Sequence, residues 1–318
     1  MKLGIDMGGM SIKMGLVNEE NKIIGRITIP TDLTVPYQTL VERMADAVRQ
    51  MLENAGMTLE QCGGIGIGSP GTIDAKQGVI LYSNNFGWEN VPIVEELKKH
   101  LDTRIEIAND ADAAALGEVC AGAAEGAENA VLLTLGTGVG SGVILDKKIF
   151  RGAMPGGCEL GHLSIRYDGI RCTCGRKGCL EAYASASALL RIAREKAAEH
   201  PESIMNEMCG NDLEQMNGKI PFDAAKAGDE AGMETVKEYE GYLACGIANV
   251  INTFRPEKVI LGGGVAAQKD NLTAPLKDLV KDMCFGGSHG HIADIVTSVL
   301  GLSLIHISEP TRRTPISY

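Results

Sequence analysis

Long apolar runs are missing from this chain. No segment approaches the roughly 20 residues that cross a bilayer as a helix. An excess of basic residues is missing as well: the formal net charge is −11, which disfavours a nucleic-acid-binding surface. Aromatic side chains are scarce, and the only Trp is Trp88. No G-x-x-x-x-G-K-[ST] phosphate loop occurs. No helix-turn-helix segment stands ahead of the opening strand-like stretch, Met1-Lys-Leu-Gly-Ile-Asp6, and that opening has no signal-peptide pattern. The nine cysteines are an odd set, and Cys62, Cys120, Cys245 and Cys284 fall in helix- or strand-like segments. This usage excludes a disulfide scaffold and predicts a cytoplasmic location.

What is abundant is glycine, and it recurs in a pattern. Short apolar strands are expected at 2–6 and 12–17, joined by Met7-Gly8-Gly9-Met10-Ser11, with a third at 23–29. Leu40, Met44, Ala47, Met51 and Leu52 at helical spacing predict a helix over about 37–55. Ile65 and Ile67 make a brief strand ending in Gly68-Ser-Pro-Gly71, 104–108 is another, and Ala111 to about Cys120 is an Ala-rich helix. Then the opening arrangement returns: a strand over Val131–Leu135, a turn at Gly136–Gly140, a strand over Gly142–Leu145. The recurrence reads as an internal duplication of one supersecondary unit. Helices follow near 183–199, 222–231, 233–254 and 272–284, with a strand running into a Gly turn over 258–264 and a further strand at 294–299. At 318 residues the chain is long enough for two domains, each with its own core.

One cluster carries a strong chemical signature. Glu159-Leu-Gly-His162 is followed by Cys172-Thr-Cys174-Gly-Arg-Lys-Gly-Cys179-Leu-Glu181. Three thiols and an imidazole suit four-coordinate Zn²⁺ in a closed structural site. Zinc fits because it is borderline-soft and takes both ligand types. Gly175 and Gly178 supply the tight turns that fold so short a loop onto one ion. Acidic Glu159 and Glu181 flank the cluster, so the metal is expected to shape a loop that presents polar groups.

Other residues are candidates by position. The Gly-rich turns at 8–11 and 136–140 can bring backbone N–H groups to a phosphate, or serve as ordinary tight turns. The second is not a dinucleotide fingerprint, since position 141 is Ser and a strand follows. Asp110, in Asn109-Asp-Ala-Asp112, sits where a strand meets a helix. It reads as a helix cap or as a general base at the carboxyl end of a strand, where open α/β sheets place ligands. Asp6 ends the first strand and reads as a turn-initiating residue or as a group holding water on Mg²⁺. Asn84-Asn-Phe-Gly-Trp88 is a polar loop whose amides can serve sugar hydroxyls or an Asx turn.

In order along the chain, these segments resemble the ROK family of bacterial sugar kinases, and within it the glucokinases. The resemblance covers about residues 2–301. It rests on Asp6-Met-Gly-Gly9, Gly68-Ser-Pro-Gly71, Asn84 to Trp88, Asn109-Asp110, Leu135-Gly-Thr-Gly138, Glu159-x-Gly-His162, the Cys172 to Glu181 segment and Leu261-Gly-Gly-Gly264. It implies an α/β, two-domain actin-like ATPase (ribonuclease H-like, duplicated) fold with a zinc-binding loop and an active site in the cleft. The expected domains are 1–108, a small N-terminal α/β domain, and 109–301, a larger one with zinc loop 159–181. The resemblance implies ATP and Mg²⁺ at Asp6, Gly8, Gly9, Met10, Ser11, Gly136, Thr137, Gly138, Gly262, Gly263 and Gly264. It makes Asp110 the general base and gives the sugar to Asn84, Asn109, Asp110, Glu159, His162 and Glu181. His162 would also ligate structural Zn²⁺ with Cys172, Cys174 and Cys179. The implied reaction is ATP-dependent phosphorylation of a hexose, glucose to glucose 6-phosphate. Kinases for N-acetylmannosamine, N-acetylglucosamine or allose are the alternatives, then a non-catalytic sugar binder or a sugar-sensing repressor. The implied partners are a small-molecule sugar and ATP, with no nucleic acid, no membrane, and a homo-oligomer (dimer or tetramer).

The chain departs from the family pattern in three places. Met10 replaces a usual Thr, removing a hydroxyl near the phosphates. Asp112 replaces a usual Asn, and its charge is expected to raise the pKa of Asp110. The closing Ala/Gly-rich helix is not found. Instead, Leu302-Ser-Leu-Ile-His-Ile-Ser-Glu-Pro-Thr-Arg312 resembles a translated sequencing-library adapter of the transposase-end type, so 302–318 is expected to be a non-native tail.

Overall fold

The computed structural model describes residues 1–300. The expectation about 302–318 therefore lies outside the described residues. The chain divides into two compact units, one of Met1–Glu128 and Gly142–Cys158, the other of Asn129–Ser141 and Glu159–Val299.

The first part of the chain runs β1 (Lys2–Met7), β2 (Ser11–Val17), β3 (Ile23–Pro30), α1 (Tyr37–Asn54), β4 (Ile65–Ser69), β5 (Thr72–Asp74), β6 (Val79–Ser83), β7 (Trp88–Val91), α2 (Ile93–Lys98), β8 (Ile105–Asn109) and α3 (Asp110–Ala121). A five-stranded sheet has the order β3-β2-β1-β4-β8. Its first three strands are an antiparallel meander, and β1, β4 and β8 are parallel. Position in the sheet follows residue type. Strand β4 lies between two parallel neighbours, reads Ile-Gly-Ile-Gly-Ser, and is buried throughout. Strand β3 is an edge that alternates half-buried and exposed residues, so it tolerates Pro30 at its end. Helix α1 turns one apolar stripe inward, Leu40, Val41, Met44, Ala47, Val48 and Met51, and packs beside β3.

The chain continues with β9 (Ala130–Leu135), β10 (Val139–Leu145), β11 (Lys148–Ile149), α4 (Glu181–Ala184), α5 (Ala186–Glu199), α6 (Ile204–Met208), α7 (Ile220–Lys226), α8 (Glu230–Phe254), β12 (Lys258–Gly262), α9 (Asp270–Met283) and β13 (Asp294–Thr297). The second five-stranded sheet has the order β11-β10-β9-β12-β13, with β9, β12 and β13 parallel. Meander strands on one side and parallel strands on the other repeat the order of the first sheet. The duplication read from two Gly turns thus extends to whole sheets.

Several details differ from the sequence reading. The compact units do not divide at 108/109, because α3 packs on β4 and β8 and stays with the first unit. Strand β10 starts at Val139, which shortens the turn after β9 to Gly136–Gly138. The small sheet β5-β6-β7 was not expected, since strands this short leave little periodicity to read. Asn84–Gly87 is consequently the turn of the β6–β7 hairpin, and α2 begins only after β7. The expected helix over 183–199 breaks at Ser185, whose side chain caps α5 by accepting from the Ala188 N–H. No described helix is long and apolar enough to cross a membrane.

Helices α7 and α8 separate at Asp229 for a specific reason. Its carboxylate accepts from Gly232 N–H at 2.8 Å, capping α8, and from Ser203 Oγ at 2.7 Å and Ile204 N–H at 3.0 Å, fixing α6. Burial works to raise its pKa, but these donors prevail and hold it below the ordinary 3.8. Asp229→Ala is expected to cost about 1–3 kcal/mol in denaturant unfolding. Because the folded pKa is depressed, the difference from wild type is full above pH 3.8 and shrinks as the carboxylate protonates below it.

Candidate active site and metal centre

Parallel β1, β4 and β8 bring their carboxyl ends to one edge of the first sheet. Asp6, Ser69 and Asn109 arrive there together with Asp110, the first residue of α3. The geometry shows which residue caps the helix. Asn109 is the N-cap, accepting from Ala111 N–H at 2.9 Å while its Nδ2 donates to Gly71 O at 3.1 Å. Asp110 also accepts from Ala111 N–H, at 2.9 Å, through Oδ1. Burial raises its pKa, and the bonds from Ala111 and Asn109 only partly offset this. Asp6 is pushed up to about 6, chiefly by burial; Lys13 across the β1–β2 pair lowers it and the charge of Asp110 raises it. The two carboxyls therefore sense one another. Asp112 is buried with Arg151 Nε at 3.9 Å from its Oδ2, so its charge is met by a guanidinium.

The 8–11 turn is closed by Gly8 N–H donating to Ser11 O at 3.0 Å. Thr31, which no motif singled out, clamps it from outside: Oγ1 donates to Gly8 O at 2.6 Å and its N–H to Met10 O at 3.1 Å. Met10 projects away and is 90% exposed. Gly9 lies beside Asn85, in the same hairpin turn as the exposed Asn84. The first unit thus gathers the 8–11 turn, the 84–87 turn and the Asn109-Asp110 corner.

In the second unit the 136–138 turn is closed by Gly136 N–H to Gly138 O at 3.0 Å, and Ser187 Oγ donates to Thr137 O at 2.9 Å. Gly263, at φ +83°, passes so close to Leu135 that any side chain would strike its backbone. The 262–264 turn is thereby brought to the 136–138 turn. Glu181 spans from this turn to the cysteine loop. Its Oε2 accepts from Val139 N–H at 3.1 Å, and its Oε1 from Thr173 Oγ1 at 3.2 Å and Cys172 Sγ at 3.3 Å. A side chain at position 138 would collide with that carboxylate. Glu159 is exposed at the start of a short turn over Leu160–His162. Ser141 Oγ, also unforeseen, steadies that turn by accepting from Leu160 N–H at 2.9 Å.

His162, Cys172, Cys174 and Cys179 converge, with their ligand atoms all within 4.8 Å of one another. Cys174 and Cys179 sulfurs are 3.6 Å apart, and Cys172 Sγ is 3.7 Å from His162 Nδ1. Tetrahedral Zn²⁺ with ordinary bond lengths requires about 3.8 Å between sulfurs and about 3.6 Å between sulfur and nitrogen. The four residues fit that ion. All nine cysteines are free thiols. Cys179 is pushed up to about 12 by burial and then by Cys174 and Cys172, an obstacle to ionisation that a dication would reverse.

A sequence profile of the ROK family matches residues 2–303. A curated glucokinase of Thermotoga maritima is 37% identical over 281 residues, covering 88% of this chain and 87% of that protein. Two crystal structures share the fold. The ROK family glucokinase of Streptomyces griseus, in complex with glucose and AMPPNP, has a TM-score of 0.76 at 30% identity, covering 96% of this chain and 97% of the other. The ROK hexokinase of Thermus thermophilus has a TM-score of 0.78 at 30% identity, covering 96% of each chain.

The raised pKa of Asp6 has a consequence for stability. An acid whose folded value is about 6 and ordinary value 3.8 destabilises the fold when ionised. Asp6→Asn is therefore expected to be more stable than wild type at pH 7 without Mg²⁺, by up to about 3 kcal/mol. The advantage fades as pH falls from 6 towards 3.8, where wild-type Asp6 protonates. Urea unfolding at pH 7 and pH 4.5 checks both arms; equal stability at pH 7 would refute it.

Proposed function

The chain belongs to the ROK family, and from that premise we propose that it transfers the terminal phosphoryl group of ATP to a hexose, glucose at its 6-hydroxyl. The observation that carries the mechanism is the corner at β8: Asn109 takes the capping role, and Asp110 is left as a carboxyl whose pKa burial raises. A base of that kind accepts the hydroxyl proton as the oxygen attacks phosphorus.

Each unit contributes a share. From the first come Asp110 as base, Asn109 and Asn84 as hydrogen-bonding partners for sugar hydroxyls, and the 8–11 turn as a phosphate cradle. Asp6 would hold Mg²⁺ through water; the ion, when bound, neutralises charge on the phosphates. From the second come the 136–138 and 262–264 turns for the nucleotide, and Glu159, His162 and Glu181 for the sugar. Thr31, Ser141 and the Val139 N–H hold these groups in place before any ligand arrives, which lowers the cost of orienting them.

His162, Cys172, Cys174 and Cys179 would hold structural Zn²⁺, which supplies folding energy to the 159–181 loop. His162 then joins the metal centre to the sugar pocket. Its ring can present one nitrogen to the cation and the other to a hydroxyl.

The test is ADP release from Mg-ATP with glucose, beside N-acetylmannosamine, N-acetylglucosamine and allose. Glucose is expected to support the fastest turnover; a clear preference for another sugar would move the assignment to it. Asp110→Asn is expected to fold, still bind glucose, and lose about 10²–10⁴-fold in turnover. Retention of more than about a tenth of the rate would remove Asp110 from the role of base. Chelating the metal is expected to weaken glucose affinity and lower the melting temperature, and unchanged affinity in metal-free protein would separate the two sites.

A further inference from the structure

The first unit contains a cavity of about 620 Å³ that none of the proposed sugar or nucleotide residues lines. Its size falls within the roughly 300–1,000 Å³ of small-molecule sites. It lies along the amino-terminal half of edge strand β8, whereas Asn109 and Asp110 lie at the other end. The β5–β6 turn, α2 and the segment 151–156 complete its walls.

The charges on those walls do not cancel. Lys76, Lys98, Arg104 and Arg151 face Asp74 and Glu106. Both acids are already engaged. Asp74 Oδ1 accepts from Lys76 N–H at 3.1 Å and Gln77 N–H at 3.0 Å, shaping the turn, and Glu106 is paired with Arg104. Among the described residues, the ammonium groups of Lys76 and Lys98 have no ion pair or hydrogen bond. Arg151 is held only loosely, 3.9 Å from Asp112. In a chain of net charge −11, a cavity with this surplus of positive charge runs against the average field.

We propose that this cavity is a binding site for a small phosphate monoester, with Lys76 and Lys98 supplying point charges and Arg151 a forked donor. A guanidinium matches phosphate oxygens two at a time, and ammonium groups neutralise the remaining charge. The volume leaves room for an organic body beside one phosphate group. Binding draws Arg151 towards the phosphate and away from Asp112, in the first turn of α3 two residues past Asp110. The site itself does not depend on the proposed kinase reaction.

Calorimetric titration of the full chain tests the site, with inorganic phosphate and glucose 6-phosphate as separate probes. Saturating glucose and a non-hydrolysable ATP analogue are present, so that the proposed active site is filled. Saturable binding is expected, weakened at least about tenfold in the Lys76→Glu/Lys98→Glu double variant. That variant should melt as wild type does and keep turnover within about twofold when no anion is added. Tighter binding of glucose 6-phosphate would identify a sugar phosphate as the occupant, and equal binding would identify the phosphate group alone. No saturable binding of either probe, or equal affinity in the double variant, overturns the site. Absence of turnover with any of the four sugars in a preparation that still binds anion in a Lys76- and Lys98-dependent way would sink the kinase reading and leave this one standing.

Discussion

Ionised carboxyl groups resist removal from water, and the first unit is organised around two of them. Asp6 and Asp110 end or follow strands that both neighbour β4, so the parallel arrangement forces them to one edge of the sheet. Burial raises the pKa of each, and the charge of Asp110 raises Asp6 further. A fold selected only for stability would not keep such a pair. Their roles separate through their neighbours. Asp6 faces Lys13, a single cationic group, and suits a water-mediated hold on a dication. Asp110 receives backbone N–H bonds at a helix start, which aim the carboxylate without fully neutralising its raised pKa. The cost of this edge is greatest where both carboxyls ionise, since burial opposes the charge on each.

In the second unit the comparable constraint is on Glu181. One carboxylate oxygen fixes the amide that follows the 136–138 turn, and the other reaches the Cys172 and Thr173 end of the cysteine loop. The 136–138 turn and the cysteine loop are thus braced by one side chain. Gly138 makes that brace possible, since a side chain there would displace the carboxylate. Any rearrangement of the cysteine loop is therefore felt at the turn without a long chain of contacts.

Much of this was legible in the sequence because it was local. Glycine turns between apolar strands, a Cys-x-Cys with a further Cys and an upstream His, and an Asp where a strand meets a helix are patterns of near neighbours. The Cys3His grouping, the duplication and the Asn109-Asp110 corner were read this way. What escaped depended on partners far away in the chain. Thr31 matters because β3 returns beside the 8–11 turn. Ser141 matters because the segment at Leu160 folds back to it. Strands β5–β7 escape a sequence reading because each is too short to establish a period, and the hairpin turn they create then looks like an isolated polar loop. The compact units divide elsewhere than at 108/109 because α3 looks like the beginning of something new in sequence, yet packs on the sheet that precedes it. Asp112 looked like a perturbation of Asp110, and Arg151 beside it could not be foreseen across the intervening chain.

The same distinction bears on Met10. A residue inside a tight turn can matter through its backbone or through its side chain, and here the two are separable. The turn is closed by Gly8 N–H and Ser11 O, and it is anchored to Thr31, just after β3, through the carbonyls of Gly8 and Met10. None of these bonds involves the side chain at position 10, which is almost fully exposed. Replacing a hydroxyl with a thioether there leaves the shape of the turn intact and changes only what it offers a ligand. The backbone amides, which carry no sequence information, remain in position to meet an anion. The shape of the turn is thus a property of the β1–β2 hairpin and its Thr31 clamp, and it does not depend on the side chain at position 10.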